Sequence, residues 1–289
     1  MRKVFRSVAI GAITVVFASL SIASAQVYTQ IDFPGAIATS LNGGPNPEGT
    51  SVGTYTDTAN VNHGFALNKK GMFTAFDPPG STGTTPNFIS PQGVIVGSYL
   101  DSSGVSHGFT LNNGKYTTVD FPGAAGTILT GINPSGAMSG YSCAVASCAT
   151  RPFHSFVLPK KGDFTSFDYP GSISSLAVTI SPSGAVVGDY TDSAGVGHGY
   201  LLFHGTFASI DFPGSIFTFA GGGNPQGDIV GAYTDSGGVT HGFLLSNGAY
   251  AGFDVPGAVF TDATGINPAG VTVGVYFDAA GVGHGFVRR

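Results

Sequence analysis

One tetrapeptide, Asp-x-Pro-Gly, opens at Asp32, Asp77, Asp120, Asp168, Asp211 and Asp254, with spacings of 45, 43, 48, 43 and 43 residues. A histidine recurs in register with it, at His63, His107, His154, His198, His241 and His284. Gly-aromatic follows in five of the six, as in His241-Gly242-Phe243. A unit of this length cannot bury its own apolar face and must stack against copies of itself, so the repeat constrains the fold before any single motif does. Within the fifth unit, Thr206 to Asp211, Ile216 to Gly221, Asp228 to Asp235 and Val239 to Ser246 are short β-rich runs. Turn signals separate them. Asn224-Pro225-Gln226-Gly227 places Pro at the second turn position and Gly at the fourth, while Asp235-Ser236-Gly237-Gly238 and Ser246-Asn247-Gly248 supply residues that tolerate positive φ. The pattern predicts four antiparallel strands per unit and no helix in the repeat region.

The segments Val94-Ile95-Val96-Gly97 and Ala185-Val186-Val187-Gly188 are apolar without alternation, as expected of strands packed on both faces. Each ends in a glycine of the set Gly53, Gly97, Gly140, Gly188, Gly231 and Gly274, which permits close backbone approach. The last unit stops after its His-Gly-Phe strand. The missing strand is at the other end, where Val27 to Asp32 matches Tyr116 to Asp120 and Phe207 to Asp211. The expected fold is therefore all-β: a six-bladed β-propeller of four-stranded antiparallel blades, with the N-terminal strand closing the last blade and removing a free edge. In this phase the Asp-x-Pro-Gly turn passes from the outer strand of one blade to the inner strand of the next. The Tyr-Thr-Asp turn shares its face.

Residues 1–25 read as a signal peptide, because Arg2, Lys3 and Arg6 precede an apolar run from Val8 to Leu20 and then Ala23-Ser24-Ala25. Residues 26–289 are then a single propeller domain, predicted to be secreted, extracellular or periplasmic, and monomeric, with no membrane span in the mature chain. Only 9% of residues are charged, against about 25% in ordinary soluble domains. Hydrophobic content of 42% with 23 Phe still supplies a core, which argues against disorder. After residue 25, eight Lys and Arg face sixteen Asp and Glu, so nucleic acid is not an expected partner.

The consensus Asn-Pro-x-Gly-x-x-Val-Gly-x-Tyr-x-Asp-x-x-Gly-x-x-His-Gly-Phe resembles the bacterial extracellular HAF repeats, named for a His-Ala-Phe motif, with Gly here in place of Ala. The resemblance covers nearly all of residues 26–289. It implies a secreted repeat protein of a family whose function is unknown, and it supplies no catalytic residues.

The six repeated histidines are too widely spread around a propeller for one metal ion, whose ligands must lie at about 2 Å. A within-blade hydrogen bond to Asp or a carbonyl is the expected role. Asp32, Asp77, Asp120, Asp168, Asp211 and Asp254 are expected to brace their own turns. A second acidic set, Asp57, Asp101, Asp192, Asp235 and Asp278, opens the Asp-x-x-Gly turns and should be more exposed. It is the ring assigned to ligand binding, and the place for calcium if any cation bound. Otherwise no cofactor and no metal site is expected, since one Asp per turn falls short of the six to eight oxygens calcium takes.

Unit three departs from the repeat. Gly140 and Tyr141 are adjacent where other units have an intervening residue, which requires a bulge or a flipped face, and the following loop holds Cys143, Cys148 and Arg151. In an exported protein the two cysteines are expected to pair, and Arg151 joins the candidate ligand contacts. Glu48, Arg151, Asp163, Asp189, His204, Asp228 and Asp262 are unrepeated polar residues scattered over different units, with no sign of convergence. The sequence contains no phosphate-binding loop, and with no helix expected in the repeat region no serine sits on the strand-to-helix turn of a nucleophile elbow. These observations favour a non-catalytic binding module for an extracellular glycan or protein. The alternative is a polysaccharide hydrolase or lyase with Asp and His near the propeller axis.

Overall fold

The computed structural model describes residues 26–289; the signal-peptide assignment to residues 1–25 lies outside them. The chain opens with β1 (Tyr28–Ile31) and then runs through repeated sets of four strands. The first set is β2 (Ala38–Gly43), β3 (Ser51–Thr56), β4 (Asn62–Leu67) and β5 (Phe73–Phe76), and the second is β6 (Gly83–Ile89), β7 (Ile95–Leu100), β8 (Ser106–Asn112) and β9 (Lys115–Val119). The third comprises β10 (Gly126–Ile132), β11 (Met138–Cys143), β12 (Phe153–Leu158) and β13 (Thr165–Phe167). Next come β14 (Ser174–Ile180), β15 (Val186–Thr191), β16 (Gly197–Phe203) and β17 (Thr206–Ile210). Then follow β18 (Phe217–Gly223), β19 (Ile229–Thr234), β20 (Thr240–Ser246) and β21 (Ala249–Phe253). The last strands are β22 (Phe260–Ile266), β23 (Thr272–Phe277) and β24 (Gly283–Arg288).

Each of the first four sets is a separate four-stranded antiparallel sheet. The remaining strands form an eight-stranded sheet, in which β18 to β21 meet β22 to β24 only through a single parallel bridge, Thr240 to Phe260. The first strands of successive sets, β2, β6, β10, β14, β18 and β22, touch in that order, and β22 returns to β2. The architecture is an all-β propeller of four-stranded blades. β1 lies antiparallel on β24 with Tyr28 opposite Arg288 and Ile31 opposite Gly285, so the N-terminal strand supplies the outermost position of the final set.

The core sits between sheets rather than within them. Val52 of β3 packs with Ile89, Ile95 and Phe109 of the next set, and Leu41 and Phe65 of the first set pack with Val273 and Val287 of the last. The glycine before each of these junctions has a steric reason. A Cβ on Gly53 would collide with the Ser40 carbonyl and the Phe65 ring, and one on Gly231 would meet the Phe219 carbonyl and the Phe243 ring. Register places Gly53 opposite Phe65 and Gly231 opposite Phe243. The aromatic residue of His-Gly-Phe therefore lies across the glycine, and is fully buried at Phe65, Phe156, Tyr200, Phe243 and Phe286. Burying one such ring is worth about 1.5–3 kcal/mol, so the repeated pair is a large share of what holds each unit.

Every first strand also carries a β-bulge, as between Leu41 and Gly43 or between Ala220 and Gly222. A bulge leaves a residue out of the ladder and turns its backbone groups elsewhere. Here they turn toward the axis.

Candidate functional site

The Asp-x-x-Gly turn is built by its own carboxylate. Asp57 Oδ1 accepts the N–H of Ala59 at 2.8 Å and of Val61 at 2.9 Å, and Asn60 at the fourth position has φ 61°. Asp101, Asp192, Asp235 and Asp278 repeat these two bonds. The backbone bond from the valine, opposed by burial and helped by the second amide and the histidine, holds each of these five carboxyls below the usual range.

Beside each turn stands the repeated histidine. His63 Nδ1 donates to Asp77 Oδ2 at 2.7 Å, and its Nε2 faces Asp57 Oδ2 at 3.4 Å. The same line joins His107 to Asp120 and Asp101, His198 to Asp211 and Asp192, and His241 to Asp254 and Asp235. In the last set His284 bonds Asp278 on one side and, on the other, Asp32 from the far end of the chain. The bond from Asp77 raises His63, and burial opposes it. At His107, His241 and His284 burial is the largest single effect and lowers the group, yet the two flanking carboxylates together outweigh it and the net shift is upward. Tyr55 and Tyr190 stack on His63 and His198 at 5.0 and 4.8 Å. Phe33 and Tyr169, from the preceding Asp-x-Pro-Gly turns, stack on those tyrosines at 3.7 Å. Both acidic sets and the histidines thus share one face, and the histidines stand on the third strand, away from the axis. The expectation of His near the axis, attached to the hydrolase alternative, is corrected by this placement.

Unit three resolves its missing residue by flipping a face. β11 and β12 pair without interruption, with Gly140 opposite Phe156, Tyr141 opposite Ser155 and Ser142 opposite His154. Ser142 therefore takes the place that Tyr55 holds in unit one, and His154, without a tyrosine over it, is 50% exposed where the others are 15–25%. His154 keeps its bond to Asp168 at 2.8 Å. Tyr141 turns inward, and burial pushes its phenol up to about 12. Cys143 and Cys148 form a disulfide with Cα atoms 5.3 Å apart. Their loop leans on the second unit, where Ser106 donates its N–H to Ala146 O at 2.7 Å and its hydroxyl to Ser147 O at 3.0 Å. Arg151 is exposed, its guanidinium 5.9 Å from the Phe153 ring centre.

The axis holds what the sequence left scattered. At one level the first strands are tied by polar links into the carbonyls that the bulges release: Asn42 Nδ2 to Pro86 O at 2.9 Å, Asn87 Nδ2 to Leu129 O at 2.8 Å, Thr130 Oγ1 to Ala177 O at 2.7 Å and Thr264 Oγ1 to Leu41 O at 2.7 Å. Val178 occupies this level in the fourth unit and has no donor. There Asp189 reaches in from β15 and accepts the N–H of Ala220 at 2.6 Å. Asp189 and Asp262 together line a cavity of about 280 Å³ with Asn42, Asn87, Phe88 and Phe219. Burial raises Asp189 well above the carboxylate range; the Ala220 bond opposes this, the Asp262 charge adds to it and Arg151 opposes it. Burial alone lifts Asp262 to about 6. A neighbouring recess of about 320 Å³, lined by Ser98, Ser106, Tyr141 and Ser147, shares Thr85, Asn87 and Thr130 with this cavity and connects it to the disulfide loop.

The sequence offered a signal for both aspartates. Asp189 stands in a column otherwise filled by Thr54, Ser98, Tyr141, Ala232 and Val275, and Asp262 in one filled by Ser40, Thr85, Ile128, Leu176 and Phe219. Departure from the column, rather than recurrence, marked the residues that converge.

No family model matches the chain, and no curated protein matches it in sequence. Solved structures do match in fold. AofleA from Arthrobotrys oligospora aligns with TM-score 0.58 at 12% identity, covering 91% of this chain and 86% of that one. A putative TolB from Agrobacterium tumefaciens aligns with TM-score 0.60 at 13% identity, covering 92% and 91%. The fungal lectin of Aleuria aurantia, described as a six-bladed β-propeller with a fucose recognition mode, aligns with TM-score 0.53 at 11% identity, covering 86% and 90%.

Proposed function

We propose that this chain is a secreted propeller of the HAF-repeat kind, with six blades, that binds glycan without catalysis through the face carrying the Asp-x-x-Gly turns and the disulfide loop. The eight-stranded sheet counts as two blades in this reading, since one bridge joins its halves. The observation that carries the function is a recess of about 280 Å³ between the fourth and fifth units, where His198 and Asp211 lie beside Val196, Ile216 and Phe217. A polar pair beside an apolar wall in an opening of monosaccharide size is the composition a sugar requires: hydroxyls for the pair, C–H surface for the wall. Ile37, Ile173 and Val259 stand at the corresponding positions of other units and are 44–55% exposed, so the wall recurs around the face. The fungal lectin likeness in fold supports a sugar ligand.

The test is a thermal-shift and glycan-array panel on residues 26–289, including fucosides and soluble polysaccharides. Saturable binding that weakens in His198→Ala and Arg151→Ala supports the reading. Binding unchanged in both variants moves the site off this face, and turnover of any polysaccharide overturns the non-catalytic assignment.

A further inference from the structure

Two carboxyls line the axial cavity, and several of its side-chain donors are already engaged. Asn42 gives its two N–H groups to Thr54 Oγ1 and Pro86 O, Thr130 and Thr264 give their hydroxyls to neighbouring carbonyls, and Asn87 gives one N–H to Leu129 O. Asp189 uses Oδ1 for the Ala220 amide, which leaves Oδ2. Asp262 is half-buried, and among the described residues nothing hydrogen-bonds its carboxylate. The cavity lining thus carries two carboxyls and several amide and hydroxyl groups, alongside the apolar surfaces of Phe88 and Phe219. The cation whose field reaches Asp189 is Arg151, out on the loop.

We propose that this cavity is a second binding site, selective for a small ligand that carries an ammonium group and several hydroxyls, which is the chemistry of an amino sugar. An ammonium group donates three hydrogen bonds and neutralises a half-buried carboxylate, whereas a neutral hexose leaves that charge without a counter-charge. The phenylalanines suit the C–H face of a sugar ring and offer nothing to a hydrated metal ion. Calcium would need six to eight oxygens around it, and among the described residues no group of three acids, imidazoles or thiols is placed to hold a metal ion. The recess under the disulfide loop gives such a ligand a polar route inward.

This site is independent of the glycan face, and the experiment keeps them apart. Titration calorimetry of the disulfide-intact protein with D-glucosamine, N-acetyl-D-glucosamine, D-glucose and calcium chloride reads selectivity directly, and a glucosamine tetramer separates a free monosaccharide from a chain end. Glucosamine or its tetramer is expected to bind about tenfold or more tighter than the two neutral sugars. Asp262→Asn should lose that margin while His198→Ala keeps it. Equal affinity for glucose and glucosamine, no glucosamine binding, or an unchanged Asp262→Asn variant overturns the proposal. So does a calcium response abolished by Asp262→Asn, which would make the cavity a metal site. An unfolding midpoint for Asp262→Asn at pH 8 no lower than wild type shows that a lost signal is not lost folding.

Discussion

Single side chains in this protein have two kinds of work, and pH separates them. The upward shifts of His63, His107, His241 and His284 mean that their bonds to aspartate contribute fully below the ordinary value of 6.5 and are lost as pH rises through the higher folded values. Asp262 has the same sign in a lower window, fully favourable below 3.8 and lost as pH rises through about 6, and Asp189, raised well above 3.8 by burial, adds to it with the same sign. The turn aspartates have the opposite sign: their contribution is present above 3.8 and fades as pH falls through their depressed folded values. The melting temperature should therefore decline from mildly acidic pH toward pH 8, with the loss at Asp262 preceding that of the histidines. Asp262→Asn is expected to shrink the decline around pH 6 and leave the part due to Asp189 and the histidines, as read from melting curves at half-unit steps from pH 4.5 to 8.5; superimposable profiles would disprove the assignment. Sterics give a second expectation at this scale. Gly231→Ala pushes a methyl into the Phe219 carbonyl and the Phe243 ring, and should destabilise by about 1–3 kcal/mol or more in denaturant titration.

Hairpins and loops were the most legible elements. The expected runs Thr206 to Asp211 and Val239 to Ser246 differ from β17 and β20 by a residue at one end, because Pro, Gly and Asn fix turns through local φ preferences that neighbours cannot override. The flip at Tyr141 was legible as a choice between two geometries, and pairing across three strands decided it. The bulges of the first strands were not legible, since their cause is the demand of the adjacent sheet for a carbonyl, which no local pattern encodes. The convergence of Asp189 with Asp262 is hidden for the same reason: one compensates for Val178 in its own sheet, and they meet only across the axis. The disulfide loop yields a prediction of its own kind. Its closed loop is short, so reduction should cost about 2 kcal/mol in the chain-entropy picture, seen as a lowered denaturant midpoint with an unchanged slope. A change in slope would instead mean that the loop's contact with Ser106 governs a larger opening.

Across the whole molecule, the count of repeated units and the match between Val27 to Asp32 and the outer strands were enough to anticipate a propeller closed by its first strand. Closure is a property of the ring, not of any unit, which explains why the sequence had to be laid against itself to reveal it. Removing residues 26–32 should strip β1 from β24 and Asp32 from His284, exposing a long unpaired edge. The expected result is a lower, broader unfolding transition and concentration-dependent association by light scattering; a truncated protein that melts sharply as a monomer would show that the ring closes without it.

Val27 and Arg289 exchange backbone hydrogen bonds at 3.0 and 2.9 Å. A fold whose ends are neighbours in one ladder has no privileged starting point: the order in which its units are written is interchangeable, so long as each keeps its successor. Joining residue 289 to residue 26 through a short flexible linker and reopening the chain within another Asp-x-Pro-Gly turn, for instance between Pro170 and Gly171, should give a circular permutant that folds to the same ring. In such a permutant the burden of final closure would pass from β1 to whichever strand had been cut free.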